Sequence, residues 1–143
     1  MIIKEGNIDQ VIPLLGDLEE FIQKDNRATI TERIQNRDSL ILIAYLEDQA
    51  AGFKLGYAKS KKHFYSWLGG VLPQFRQKGI ARRLLDYQEK WARNNGYTVI
   101  TVKSRNRFKN MIRLLVKNNY LITGVEVSDA GILDKKILFE KRL

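Results

Sequence analysis

The 143-residue sequence contains no cysteine and a single histidine, His63. Without cysteine there are no disulfides, no thiolate nucleophile and no cysteine-built zinc site. One histidine leaves no His-Glu-x-x-His pair and at most one member of a hydrolytic triad. No apolar run approaches the ~20 residues that span a bilayer. The opening MIIKEGNIDQ lacks the basic-then-apolar layout of a signal peptide, so a soluble, cytoplasmic protein is expected. Acidic residues are scarce in one half only: residues 1–70 hold 9 Lys/Arg against 10 Asp/Glu, and residues 71–143 hold 16 against 6. The second half therefore favours an anionic partner, whether a phosphate-rich cofactor, nucleic acid or an acidic protein. A merely solvated basic surface is the plainer alternative.

The length suits one domain, 1–143, with a core of its own. Asn7 stands as an N-cap before Ile8, Val11, Ile12, Leu14, Leu15, Leu18, Phe21 and Ile22 at helical spacing, with Pro13 in the first turns. A short helix is expected over Ala28–Gln35. Ser39–Leu46 is an apolar run of strand length, and Glu47-Asp48-Gln49-Ala50 turns it into a second strand, Ala51–Tyr57. A third strand, His63–Leu72, follows the basic turn Lys59–Lys62; plain alternation puts Tyr65, Trp67, Gly69 and Val71 on one face. Apolar positions recurring from Gly79 to Asn95 mark the most regular helix, and Asn95-Gly96 stops it. Tyr97–Val102 is β-branched and expected to be a strand buried on both faces. A helix over Arg107–Asn118 and strands near Tyr120–Val127 and Ile132–Phe139 complete the order β-α-α-β-β-β-α-β-α-β-β. That order implies a mixed α/β (α+β) layout with a central sheet flanked by helices.

The stretch GGVLPQFRQKGIARRLL, residues 69–85, runs from a strand into that regular helix. A helix N-terminus has backbone N–H groups without intrahelical partners and the positive end of the macrodipole. Gly79 permits positive φ and close approach, Ala81 adds little bulk, and Arg76 and Lys78 bring charge, which together make a cradle for a diphosphate. An ordinary strand-to-helix turn with exposed cations is the alternative. The stretch is neither a Walker A loop nor a Gly-x-Gly-x-x-Gly fingerprint, which disfavours a nucleoside triphosphate or NAD.

Val71-Leu72-Pro73-Gln74-Phe75-Arg76-Gln77-Lys78-Gly79-Ile80-Ala81 resembles the acetyl-CoA motif of the GNAT superfamily of N-acetyltransferases, Arg/Gln-x-x-Gly-x-Gly/Ala preceded by Val-x-Pro-x-x-Arg. Every fixed position is present, between a strand and an amphipathic helix, and the element order extends the likeness along the whole chain. The resemblance implies a GNAT-like acyltransferase fold with a mostly antiparallel sheet, acetyl-CoA as cosubstrate and no metal. It further implies that backbone near Val71 pairs with the pantetheine arm, that Gln77, Lys78, Gly79, Ile80 and Ala81 hold the pyrophosphate, and that Arg76 fixes the loop or the phosphates. Relatives carry an Asn after the next strand, here matched best by Asn106, with Asn110 the alternative. They also carry a helix ending Leu-Tyr-x-Lys-x-Gly-Phe, whose Tyr often acts as general acid. Here Leu114 to Tyr120 align with it, so Leu115 occupies the acid position and Asn119 replaces Gly.

The implied reaction needs a neutral amine and polarisation of the thioester carbonyl by backbone N–H groups. The strand leading to Val71 has no carboxylate, only His63 and Tyr65. His63 lies eight residues from Val71, or ~27 Å at strand rise, and reads as an exposed strand-end residue. Tyr65, expected on the face of Val71, is the candidate for binding substrate or donating a proton, with a packed aromatic as the alternative. Trp67 reads as core or pocket wall, and Glu126 as a surface residue, with orientation of an amine the alternative that the resemblance implies. The expected acceptor is a primary amine of a small molecule or peptide, with no membrane partner; the oligomeric state is open, with a homodimer one assembly that the resemblance allows. Two other readings stand beside the enzyme. One is a regulatory CoA-binding protein with weak catalysis, motivated by Leu115. The other is a nucleic-acid module using Lys103–Lys109, in which Phe108 would stack on a base.

Overall fold

The computed structural model describes residues 1–18, 21 and 25–143. Seven strands form one sheet in the order β1-β2-β3-β4-β5-β7-β6. The strands are β1 (Ile2–Glu5), β2 (Ser39–Leu46), β3 (Gln49–Ala58), β4 (His63–Val71), β5 (Val99–Arg105), β6 (Leu121–Val125) and β7 (Lys136–Arg142). Helices α1 (Ile8–Gly16) and α2 (Arg27–Ile34) cover one face, and α3 (Ile80–Asn94) and α4 (Lys109–Lys117) the other. The order along the chain is the expected one. Every pairing among the described residues is antiparallel except β4 with β5, which need the crossover helix α3 because parallel neighbours cannot be joined by a tight turn. No helix among the described residues is long and apolar enough to cross a membrane.

Local chemistry sets the element ends. Asn7 and Asn26 each close a capping box at the start of α1 and α2, satisfying N–H groups that the helices cannot. The β2–β3 turn is two residues, Glu47 (φ 52°) and Asp48 (φ 66°), the left-handed pair whose twist matches that of a hairpin. Strand β3 therefore starts at Gln49, two residues before the expected Ala51. In α3 the buried positions Ile80, Leu84, Leu85, Gln88, Glu89 and Ala92 form one stripe. Each large apolar side chain buried there contributes about 1.5–3 kcal/mol.

Other boundaries also differ from expectation. Helix α1 ends at Gly16, while Ile22, expected in it, lies outside the described residues. Strand β5 begins at Val99, because Tyr97 packs on Trp91 and Phe64 behind α3. It is buried on one face through Ile100, Val102 and Ser104, with Lys103 exposed on the other, since no helix among the described residues covers that part of the second face. Ile132–Asp134 is a 3-10 turn, so β7 lies later than the apolar run suggested.

Candidate active site

Strands β4 and β5 pair only from His63 with Val99 to Ser66 with Val102. Beyond that they part, β4 continuing to Val71 against β3 and β5 to Arg105 against β7. At the parting, Leu68 pairs with Leu55 but Ser66 with Gly56, so Trp67 is an extra residue on β4, a β-bulge that bends the strand. Leu72 N–H donates to Ala51. Because antiparallel pairs alternate, Val71 and Gly69 must turn their N–H and C=O away from β3, into the opening. Val71 O accepts a 3.0 Å bond from Arg76 Nε; the other backbone groups are the free edge to which an extended ligand chain can add.

The opening leads to the predicted cradle. After the 3-10 turn Pro73–Phe75, Gln77 (φ 61°) and Gly79 (φ 77°) are both left-handed. That conformation is inexpensive for glycine but costs about 1–2 kcal/mol for most other residues. Gly79 is the N-cap of α3 with no side-chain cap, and its carbonyl accepts from Arg83 N–H. The N–H groups of Ile80, Ala81 and Arg82, before that first bond, have no intrahelical acceptor. Beyond its chain neighbours, no atom of the described residues lies within 4 Å of the position a Gly79 Cβ would take. Donors, open space and the exposed Lys78 together fit a diphosphate. Arg76 is seen to brace the loop onto Val71.

Tyr65 requires a correction. The bulge at Trp67 breaks the alternation, so Tyr65 and Trp67 project toward α1 and α2, whereas Val71 packs on the α3 side. Tyr65 is 6% exposed, lies edge-on to Tyr57, and has the ammonium groups of Lys59 and Lys103 near its ring at 5.0 and 5.8 Å. Burial, then the neighbouring Tyr57 and Glu126, push its pKa above the ordinary phenol value. Arg33 lies over Trp67 and donates to Tyr57 Oη at 3.1 Å.

His63 is half-buried rather than exposed, because its Nε2 lies 2.6 Å from Thr101 Oγ1 across the paired part of β4 and β5. Burial, reinforced by Lys59, holds its pKa below the usual value. Glu126, just past β6, pairs through Oε2 with Lys103 Nζ at 3.2 Å. Asn106 follows β5 as expected, and its side-chain amide donates to Ile132 O at 3.1 Å. Asn110 accepts from Arg113 on the surface of α4. Leu115 is fully buried. Asn119 (φ 70°) takes the left-handed position after α4 that glycine usually fills. In Lys103–Lys109, Lys103 is paired with Glu126 and Arg107 with Asp134, which reduces the positive charge available to nucleic acid. No group of three His, Cys, Asp or Glu among the described residues could hold a metal.

The sequence reading passed over Lys54, a lysine on β3 that is only 7% exposed. Its one signal was position, a lysine inside Ala-Ala-Gly-Phe-Lys-Leu-Gly-Tyr-Ala, residues 50–58.

A family model, the acetyltransferase (GNAT) family, matches residues 11–120. This chain belongs to that family. It is a GNAT-type acetyltransferase. No curated protein sequence matches significantly. Among solved structures, an aminoglycoside 6′-N-acetyltransferase from Enterococcus faecium is 19% identical with a TM-score of 0.80, over 99% of this chain and 97% of that one. A GNAT acetyltransferase from Elizabethkingia anophelis with acetyl-CoA bound is 17% identical, TM-score 0.79, over 99% and 97%. A ribosomal-protein-alanine N-acetyltransferase from Brucella melitensis is 16% identical, TM-score 0.79, over the full length of both chains. At such identities the likeness shows the fold, and GNAT enzymes of one fold evidently differ in acceptor.

Proposed function

We propose that this GNAT enzyme transfers the acetyl group of acetyl-CoA to a primary amine of a small molecule or peptide, by direct attack within a ternary complex. The observation that carries the reading is the unbroken path from the bare N-terminus of α3, through Arg76 and Val71, to the parting of β4 and β5. Acetyl-CoA supplies an acyl group activated as a thioester. The N–H groups of Gln77 to Ala81 would hold the diphosphate, and Arg76 keeps the loop in place. The free N–H of Val71 and the unpaired backbone of Gly69 would bind the extended arm as a strand edge binds a peptide and polarise the thioester carbonyl.

Tyr65, Trp67 and Tyr57 wall the opposite face, where an acceptor amine would approach. The exposed apolar residues of the edge strand β6, Leu121, Ile122 and Val125, support a homodimer, since such an edge invites pairing. The regulatory alternative draws on one observation: Leu115, buried in the core, cannot donate a proton.

The test is release of CoA from acetyl-CoA with a panel of amino acids, small amines and peptides. Acceptor-dependent release at 1 s⁻¹ or faster, on the order of ordinary turnover, is expected. Tight acetyl-CoA binding without release for any acceptor would favour the regulatory reading.

A further inference from the structure

Lys54 lies in the middle of β3, and alternation sends Phe53 and Leu55 toward α1 and α2 but Lys54 to the α3 face. Pairing puts it in one row with Leu42 of β2 and Gly69 of β4. Its Cγ and Nζ are 3.6 and 3.7 Å from where a Cβ on Gly69 would be. The side chain therefore lies across the backbone of Gly69, in the stretch of β4 that has left β5, two residues deeper into the opening than Val71. Among the described residues nothing forms a hydrogen bond or ion pair with it.

A buried ammonium without a partner is unfavourable. Burial accordingly lowers its pKa from 10.5 to about 8, opposed only in part by Glu89. Few charged groups face it. Glu89 of α3 is committed to Tyr120 Oη at 3.0 Å and Lys141 Nζ at 2.7 Å. Glu5 of β1 shares the row two strands away and is exposed. The other polar side chains buried on this face are neutral: Ser66 and Ser104 beside the parting, Asn118 at the end of α4, which donates to Leu114 O, and Gln88 of α3, whose amide atoms have no partner.

We propose that Lys54 is the general acid of the transfer, giving a proton to the sulfur as CoA departs. This rests on the acetyl-transfer reading above. The amine nitrogen bonds to the thioester carbonyl carbon, the carbon–sulfur bond breaks with its electron pair going to sulfur, and Nζ–H supplies the proton that completes the thiol. The proton released by the amine nitrogen returns through solvent to Lys54, so no further reactant is needed. An acid with a pKa near 8 is well matched to a thiol, whose ordinary value is about 8.5. The task is the one that Leu115 leaves vacant on α4.

The full-length chain is compared with Lys54→Met and Lys54→Arg. Dissociation constants for acetyl-CoA are expected to stay within about threefold of wild type, while kcat with the best acceptor of the panel falls about 100-fold in both variants. Methionine has no proton to give, and a guanidinium does not release one. A second readout is the ultraviolet absorbance of the thiolate of bound CoA against pH. The wild-type ammonium should let that thiol ionise about one pH unit lower than it does in Lys54→Met. Equal thiol titrations, full kcat in Lys54→Arg, or a stable acetyl group on Lys54 itself by mass spectrometry would each overturn the proposal.

Thermal unfolding of Lys54→Met guards against a trivial loss, since replacing a lone buried charge by an apolar side chain is expected to be neutral or stabilising. A wild type that binds acetyl-CoA while the variants match it removes Lys54 alone. A wild type that does not bind acetyl-CoA removes the acetyl-transfer reading with it.

Discussion

Tyr65 and Val71 leave the same strand on opposite faces of the sheet, because Trp67 is inserted between them as a bulge. The free N–H of Val71 thus faces the opening between β4 and β5, and the Tyr65 hydroxyl belongs to the side of α1 and α2. Tyr65→Phe is expected to leave kcat within about threefold and to act, if at all, on the KM of the acceptor. Steady-state kinetics with both substrates varied checks this, and a 100-fold loss in kcat would restore the tyrosine as the acid.

Arg76 braces the loop before α3 through a single bond from Nε to Val71 O. Because the arginine is exposed, Arg76→Ala should change the melting temperature little, by less than about 1 kcal/mol in stability. Acetyl-CoA binding should weaken about tenfold, the cost of losing one charge-assisted contact and some loop order. Calorimetry and thermal unfolding separate the two effects, and equal losses in both would mean that the arginine serves the fold alone.

The same burial that suits Lys54 to a thiol makes stability depend on pH. Its pKa is about 8 folded against 10.5 unfolded, so between these values the unfolded chain holds the extra proton and stability rises with pH. Below about 8 both states are protonated and the full penalty of the buried charge applies, on the order of 3 kcal/mol. Lys54→Met should therefore exceed wild type in urea midpoint at pH 7, and the gap should narrow as pH rises toward 10. A constant gap would show that the lysine is not titrating in that range.

The element order was legible because strong local signals coincide: asparagine caps, a hairpin-length turn and the apolar stripe of α3. The loop before α3 was legible for the same reason, since the left-handed turn at Gly79 leaves a sequence pattern. Bounds and faces failed where tertiary structure decides. A bulge at Trp67 has no local signature, yet it reverses the face of every residue that follows on β4. Tyr97 has strand propensity but is captured by Trp91 and Phe64. Lys54 was invisible since its meaning comes from Gly69, a strand away, having no side chain to exclude it. Gly70, next to it, makes room on the other face, where an added Cβ would fall 2.6 Å from Leu18 Cδ1.

The most direct measurement is calorimetric titration of acetyl-CoA into the wild type and into Gly79→Trp, with circular dichroism to verify that the variant is folded. Gly79 stands at φ 77° with no described atom beyond its chain neighbours within 4 Å of a Cβ, so an indole there would fill the space proposed for the diphosphate and strain the turn. Micromolar binding by wild type, weakened at least about 100-fold in the folded variant, is the expected result. Absence of binding by wild type, or equal binding by both, would contradict a cofactor site at the start of α3.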